Sequence, residues 1–203
     1  MVEIMRYAAK PVVENTRPGD EIVIATDTTT DPLVWQALAA AAHSHGAHPT
    51  IALMTTREGD GNDPTPPTLE AMRRSNTSIL ATYRSLIHSQ AVMEMLAEER
   101  AKGHRIQVFL MEQCNPEILS GGAVEEDTEW MWQTGLPVKT HWDRGKTVHV
   151  TSEYGTDLRA SIEGRTSWLI TGRIHPEVDQ GPFPDIMAFP DGECGIGPVE
   201  GSG

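Results

Sequence analysis

The sequence is short of positive charge. Lys and Arg number 16 against 29 Asp and Glu, which gives the 203 residues a formal net charge of −13. The basic residues are scattered singly and form no stripe. A surface of this charge repels phosphate backbones and anionic lipid headgroups. We therefore expect neither a nucleic-acid partner nor a membrane partner.

Cysteine and long apolar stretches are also scarce. Cys114 and Cys194 are far apart and neither belongs to a CxxC pair, which favours a reducing compartment. Residues 1–20 contain no apolar segment of the kind found in signal peptides or anchors. No apolar run approaches the roughly 20 residues that span a bilayer. The expected location is the cytoplasm.

The glycine motifs of nucleotide-binding folds are missing. Neither GxGxxG nor GxxxxGK[ST] is present, so the chain lacks the glycines that let a backbone wrap phosphates. The turn after the first predicted strand, residues 26–31, is instead Thr-Asp-Thr-Thr-Thr-Asp. These side chains could line a ligand site, because ligands of open α/β sheets bind at the carboxyl ends of strands. Helix capping is the better-supported interpretation, since Thr and Asp are preferred caps.

Short β-branched runs alternate with helical stretches over the first half of the chain. Helical periodicity covers residues 2–15, 33–45, 69–75 and 89–102, and strands are predicted at 21–27, 49–55, 78–83 and 105–111. Strands separated by helices favour an α/β fold with an open parallel sheet, as in Rossmann or flavodoxin domains. We predict that this α/β domain covers residues 1–144.

The pattern changes near residue 145. Residues 146–152 and 158–164 are typical of the two strands of a β-hairpin around a turn at 153–157. We therefore predict the start of a second, β-rich domain over residues 145–203. At about 60 residues it is a little short for an independent core.

Histidine and cysteine give no clear site by themselves. His43 and His45 are two positions apart on a predicted helix, so they point to different faces and do not share a metal ion easily. Cys114 has no base beside it in the sequence, which leaves a nucleophilic role unsupported. The isolated histidines are predicted to be surface or core residues: His88, His104, His141 and His149.

An ordered series of motifs in the last third of the chain is more specific. It comprises GTDL at 155–158, EGR at 163–165, FPDGE at 189–193 and PVEGS at 198–202. In this order the motifs resemble the M29 metallopeptidase superfamily of aminopeptidase T-like and leucyl aminopeptidases, which has relatives among the 2,5-dihydroxypyridine 5,6-dioxygenases. The α/β alternation fits the same superfamily. The chain therefore resembles the N-terminal part of such an enzyme over nearly its whole length.

The resemblance implies a metal site with two divalent ions. In the superfamily the Glu of the PxGE element is a metal ligand, and the matching position is Glu193. A carboxylate can bridge two cations, and paired cations activate water. The residues alone predict instead a β-turn at Asp191-Gly192, with Glu193 as a solvated residue at the start of a strand. The resemblance favours the ligand.

The further ligands that the resemblance implies lie beyond residue 203. His175 and Asp185 are near Glu193 in the sequence, but neither matches a ligand of the superfamily. One carboxylate cannot hold Zn²⁺, which takes three or four protein ligands. We therefore expect the chain to be catalytically incomplete as it stands.

The expected function is hydrolysis of an amide or peptide bond by a metal-dependent, aminopeptidase-like enzyme. The expected cofactor is divalent Zn, Co or Mn, and the expected substrate is a small molecule or peptide. One alternative is an Fe(II)-dependent dioxygenase that opens an aromatic ring, of the 2,5-dihydroxypyridine type. Glu193 favours the hydrolases, because that dioxygenase does not retain the glutamate as we align it. Another alternative is a non-catalytic α/β binding module. The expected partner is a second copy in a homo-oligomer, or the C-terminal part that follows.

Overall fold

The computed structural model describes residues 2–104, 106–153, 155–165, 167–174 and 186–188. Two short 3₁₀ turns, Ile118–Ser120 and Gly122–Glu125, precede the last helix. In chain order the remaining elements are α1 (Val2–Asn15), β1 (Glu21–Asp27), α2 (Pro32–His45), β2 (His48–Met54), α3 (Pro66–Arg73), β3 (Thr77–Ala81), α4 (Gln90–Ala101), β4 (Gln107–Leu110), α5 (Thr128–Arg144), β5 (Thr147–Thr151), β6 (Asp157–Ser161) and β7 (Ile186–Ala188).

Five of the strands form one parallel sheet in the order β2-β1-β3-β4-β7. In this register Ile24 of β1 lies opposite Ile51 of β2 and Ile79 of β3. The sheet confirms the predicted open α/β fold. From β1 the chain first moves outward to β2 and then returns to β3 on the other side. The topological switch point therefore lies between β1 and β3, where open α/β sheets form a crevice at their carboxyl ends.

Helices cover both faces of this sheet because successive side chains of a strand point to opposite faces. Ile24 and Ile79 pack into a core with α1 and α2. Their neighbours Val23 and Leu80 pack into a second core with α3 and α4. All four side chains are buried, so β1 and β3 are continuous apolar runs, as expected for central parallel strands.

Helix α2 has clear start and stop signals. Asp31 caps its first turn by accepting a hydrogen bond of 2.8 Å from the Leu33 N–H. Gly46 ends the helix in the left-handed region, at φ 91°. A Cβ at Gly46 would lie 3.3 Å from the Cβ of Pro18. The glycine therefore allows β2 to begin beside the turn that precedes β1.

The predicted hairpin forms a two-stranded antiparallel sheet of its own, with Thr147 of β5 opposite Ser161 of β6. β7 joins the parallel sheet beside β4, a fifth strand that the sequence analysis did not predict. Its three residues are too few to show a period of two. The division into domains at residue 145 stays a prediction.

No helix in the part of the chain that the structure describes is long and apolar enough to cross a bilayer.

Candidate functional site

The switch point of the sheet is built around a buried carboxylate. Asp27, the last residue of β1, is 1% exposed. Its Oδ2 accepts a hydrogen bond of 2.7 Å from the N–H of Tyr83, just beyond β3. Its Oδ1 accepts from the N–H of Thr29 and from the N–H and hydroxyl of Thr30, at 3.0, 3.0 and 3.1 Å. Capping of α2 was the predicted role of this turn. Asp31 fulfils it, whereas Asp27 ties β1 to β3.

Threonine hydroxyls gather beside this carboxylate. Thr28 and Thr29 follow β1 and are exposed, and Thr56 follows β2. The Thr56 hydroxyl oxygen lies 3.2 Å from that of Thr28 and 2.7 Å from that of Thr29, and it accepts from the Thr29 N–H at 3.1 Å. These three hydroxyls form a polar patch at the carboxyl ends of β1 and β2.

The segment 57–61 connects this patch to the end of β3. Asp60 Oδ1 accepts a hydrogen bond of 2.9 Å from the Ser85 N–H, and the Gly61 N–H donates to the Ser85 carbonyl at 2.8 Å. Because β1 lies between β2 and β3, the segment passes the carboxyl end of β1. Arg57, its first residue, is partly buried, and its Nε has no hydrogen-bond partner in the part of the chain that the structure describes.

His88 lies at this same edge. It is exposed and stands between the end of β3 and the Ser89 cap of α4. A Cβ added to Gly61 would lie 3.7 Å from the His88 carbonyl oxygen, so the segment 57–61 runs close by. The sequence analysis gave His88 no function. The signal for it in the sequence is its place between a predicted strand and a predicted helix. Residues in such a position lie at the carboxyl edge of the sheet, because the carboxyl ends of parallel strands share an edge.

The other histidines near the sheet lie at the opposite, amino edge. His45 ends α2, and its Nε2 is 3.1 Å from the Thr16 carbonyl oxygen. His104 precedes β4, and its Nδ1 is 3.1 Å from Glu99 Oε2. The structure therefore does not bring His45 or His104 to the candidate site.

Cys114 follows β4 but is not equipped as a nucleophile. It is 7% exposed, and burial raises the pKa of its thiol to about 11. A thiol with a raised pKa forms little thiolate, which is the nucleophilic species. Cys114 is therefore a core residue.

A charged cluster at the amino edge stabilises the fold. Lys102, His104 and Arg73 contact the Glu99 carboxylate at 2.7, 3.1 and 2.9 Å. Hydrogen bonds from Lys102, His104 and Arg73, in decreasing order of effect, lower the pKa of Glu99 to about 2. These groups hold the C-terminus of α4 against α3 and the start of β4, far from the switch point.

A groove of about 620 Å³ runs between α5 and residues 167–169. Trp130, Trp142 and Trp168 line it and are 61%, 39% and 45% exposed. Its charged groups are paired: Lys139 donates to Asp143 Oδ2 at 2.7 Å, and the Ser167 N–H and hydroxyl both donate to Asp143 Oδ1 at 2.7 Å. The groove therefore offers apolar surface and no free acid or base.

Glu193 lies outside the described residues, as do His175, Asp185 and Cys194, so its role stays a prediction. Across the residues that are described, no three His, Cys, Asp or Glu side chains are grouped so that they could hold a metal ion. The carboxyl edge therefore has polar groups for an organic ligand and no metal site of its own in the described ranges.

Comparison with known proteins identifies a family. The family model described as NicX, 2,5-dihydroxypyridine 5,6-dioxygenase, matches residues 8–176. Among curated proteins no sequence matches.

Among solved structures, 2,5-dihydroxypyridine dioxygenase from Pseudomonas putida KT2440 is similar at a TM-score of 0.65 and 15% identity. The match covers 93% of this chain and 54% of that one, so this chain spans about half the length of that protein. YbdL from Escherichia coli, which has a methionine aminotransferase function, matches at a TM-score of 0.33 and 18% identity over 53% of this chain and 27% of its own. A likeness at that TM-score carries no weight.

The family match overturns the expected hydrolase. The predictions of a metal-dependent aminopeptidase, metalloprotease or other hydrolase are wrong, because the family that matches residues 8–176 is a dioxygenase family. Two of the motifs behind that prediction lie in the hairpin. Asp157 contacts His149 at 2.6 Å, Glu163 contacts Lys146 at 2.9 Å, and Gly155 turns the chain at φ 96°. Residues that hold a hairpin together do not distinguish one enzyme chemistry from another.

Proposed function

The chain belongs to the NicX family of 2,5-dihydroxypyridine 5,6-dioxygenases, and on that premise we propose that it is part of a dioxygenase that opens a hydroxylated pyridine ring. In this proposal the carboxyl edge of the parallel sheet forms one wall of the substrate site. The family match over residues 8–176 is the observation that carries the reaction class. The position of the polar groups at the switch point supports the choice of edge.

Family membership implies a metal cofactor, and we propose Fe(II). The described residues hold no set of ligands for it, so we assign to them no coordinating role and no step that passes through the metal. Glu193, with its neighbours in the sequence, remains the proposed source of a ligand within this chain.

We assign the proton chemistry to His88. A hydroxylated ring becomes a better electron donor to an oxidant when its hydroxyl group loses its proton, and imidazole is the side chain best suited to accept a proton near neutral pH. His88 is exposed at the edge where the substrate would lie. The hydroxyls of Thr28, Thr29 and Thr56 would hydrogen-bond to the ring substituents and orient the ring.

Activity is tested on the protein in the longest form that its reading frame encodes. We expect Fe(II)-dependent consumption of O₂ together with loss of the ring absorbance of 2,5-dihydroxypyridine, and no release of p-nitroaniline from aminoacyl p-nitroanilides. Chelation should abolish the reaction and added Fe(II) should restore it. A protein that binds no iron and consumes no O₂ with any hydroxypyridine would contradict the proposal and leave a non-catalytic binding module.

Replacement of His88 tests the assignment of the base. His88→Gln should lower kcat by about 10²- to 10⁴-fold, the usual contribution of a general base, and should remove the acidic limb of the pH–rate profile. His43→Gln is the matched control, because His43 is exposed at the C-terminus of α2, at the amino edge. An unchanged pH profile in His88→Gln would exclude His88 as the base.

A further inference from the structure

Within the part of the chain that the structure describes, helix α5 exposes a largely apolar face beside the groove. Four of its side chains recur every four residues and so line one side of the helix: Trp130, Thr134, Val138 and Trp142. Trp168 borders the same groove from the other side. Val138 is 65% exposed, and the three tryptophans are 39–61% exposed. We call these five side chains the tryptophan face.

Contacts beneath the tryptophan face fix its shape. A Cβ at Gly135 would lie 2.5 Å from Cδ1 of Leu169, so residues 167–169 pack directly on α5. Lys139 Nζ donates to the Ser167 carbonyl oxygen at 2.7 Å, and the Ser167 N–H donates to Asp143 Oδ1 at 2.7 Å. A surface whose parts are already tied together loses little conformational entropy when a partner covers it.

The tryptophan face has the area of an interaction site. An aromatic side chain has roughly 150–250 Å² of surface to bury, so these exposures leave on the order of 400 Å² of apolar surface on one molecule. Two such faces together bury about 800 Å² of apolar surface. Because apolar atoms make up about 60% of an interface, the total area exceeds the roughly 1,000 Å² that a specific interface needs.

Charge is segregated along α5. Residues 125–129 contain four carboxylates and no cation, and residues 130–138 are uncharged. Residues 139–146 contain three cations and one carboxylate, Asp143, which contacts Lys139 at 2.7 Å. The helix therefore has an acidic end, an uncharged middle and a basic end.

Two copies of α5 match each other when they run in opposite directions. If a two-fold axis passes opposite residue 136, Trp130 of each copy lies opposite Trp142 of the other, and Thr134 lies opposite Val138. The acidic end of each helix then lies beside the basic end of the other, whereas a parallel pair would bring like charges together. We propose that the tryptophan face is the interface of a two-fold symmetric homodimer in which the α5 helices pack antiparallel.

The charge pattern favours a second copy over the other partner that the sequence analysis expected, the part of the enzyme that follows residue 203. Copies of a chain with a net charge of −13 repel one another. The antiparallel arrangement offsets that repulsion locally, because it joins the acidic end of α5 to scarce cations. This inference does not rest on the proposed ring-opening function, and its test needs neither iron nor turnover.

Sedimentation equilibrium of the full 203-residue chain at low ionic strength tests the proposal. We expect a dimer with a Kd in the micromolar range. Val138→Glu puts a carboxylate at the centre of the apolar face and should raise the Kd at least about a hundredfold. Thr140→Glu is the matched control. It adds the same charge to an exposed position of α5 that lies outside the groove lining, and its Kd should stay within about threefold of the wild type.

Two charge reversals test the orientation. Glu126 and Arg144 are exposed near the acidic and basic ends of α5. Glu126→Lys and Arg144→Glu each place like charges together at both ends of the interface, so each variant alone should dimerise more weakly than the wild type. An equimolar mixture restores opposite charges at both ends, and the heterodimer should be at least about fivefold tighter than either homodimer.

Far-UV circular dichroism and thermal unfolding of each variant establish that it is folded. A wild-type chain that stays monomeric up to about 1 mM would overturn the proposal. Dimerisation that Val138→Glu leaves unchanged would exclude the tryptophan face, and a mixture no tighter than its components would exclude the antiparallel arrangement. If Val138→Glu instead lowered the thermal stability of a monomer, the face would be covered by the same chain, and the proposal would be wrong.

Discussion

The N–H of Tyr83 donates a hydrogen bond of 2.7 Å to Oδ2 of Asp27, across the point where the sheet reverses its strand order. The two residues are 56 positions apart in the chain. Asp27 is buried, whereas Tyr83 is 43% exposed. The bond therefore joins β1 to the residues that follow β3 at the base of the crevice. The Cζ of Arg84 lies 5.2 Å from the centroid of the Tyr83 ring.

We expect Asp27→Asn to destabilise the protein. The carboxylate accepts four hydrogen bonds, and an amide can accept only through its oxygen. The NH₂ group would face either the Tyr83 N–H or the Thr29 and Thr30 donors. Loss of a buried acceptor costs about 1–3 kcal/mol of unfolding free energy, measurable by urea denaturation.

Asp31→Asn is the control for that substitution. Asp31 is exposed and caps α2, and Asn caps a helix about as well as Asp. Its unfolding free energy should stay within about 0.5 kcal/mol of the wild type. If Asp27→Asn were as mild as Asp31→Asn, the carboxylate would not be the group that joins β1 to β3.

Glu99 should make stability depend on pH in the acid range. Its pKa is lowered from 4.5 to about 2 in the folded protein by Lys102, His104 and Arg73. A carboxylate with a lowered pKa stabilises the fold above its ordinary pKa, and that contribution is lost as the pH falls from about 4.5 to about 2. Urea midpoints between about pH 6 and pH 2.5 should therefore fall less steeply in Glu99→Gln than in the wild type.

Glu98→Gln is the comparison, because Glu98 also contacts Arg73 but its side chain is 57% exposed. Water screens an exposed pair, so this variant should follow the wild-type pH dependence closely. A Glu99→Gln variant that loses stability with acid as steeply as the wild type would show that Glu99 contributes no acid-sensitive stabilisation.

Cys114 should react slowly with thiol reagents in the folded protein. A rise in its pKa from 9.0 to about 11 lowers the thiolate fraction near pH 8 by about a hundredfold. The rate is measured with Ellman's reagent in a Cys194→Ser variant, so that one thiol remains. The same variant in denaturing guanidinium chloride is the control and should react at the rate of an ordinary thiol. Equally fast reaction in the folded protein would place Cys114 at the surface.

Substitution of two glycines with the same backbone conformation distinguishes the cost of backbone strain from the cost of a side-chain contact. Gly46 has φ 91° and Gly19 has φ 89°, but a Cβ at Gly46 would lie 3.3 Å from Pro18, and one at Gly19 would meet nothing within 4 Å. Both Ala substitutions should cost about 1 kcal/mol for the left-handed conformation. Gly46→Ala should cost more, because its methyl group must displace Pro18. An equal decrease in the stability of the two variants, measured by thermal unfolding, would show that Pro18 moves aside at little cost in free energy.

The hydrolase prediction failed for a reason visible in particular residues. Asp157 and Glu163 are distinctive in the sequence, but in the structure they pair with His149 and Lys146 in the hairpin. A pattern of such residues indicates a shared fold. It does not indicate which reaction the fold supports, because the reacting groups need not lie in the pattern.

The sequence by itself determined the helices and strands of the α/β layer. Their signals are local: the buried run of β1, the Asp31 cap and the Gly46 stop of α2 each depend on neighbours a few residues away. The tertiary structure determined the contacts between distant segments, which local sequence signals do not specify. It placed β7 beside β4, joined Asp27 to Tyr83, brought His88 to the carboxyl edge and left Arg57 unpaired among the described residues. Each of these facts is a relation between segments distant in the chain, and burial and charge pairing are set only when the sheet brings those segments together.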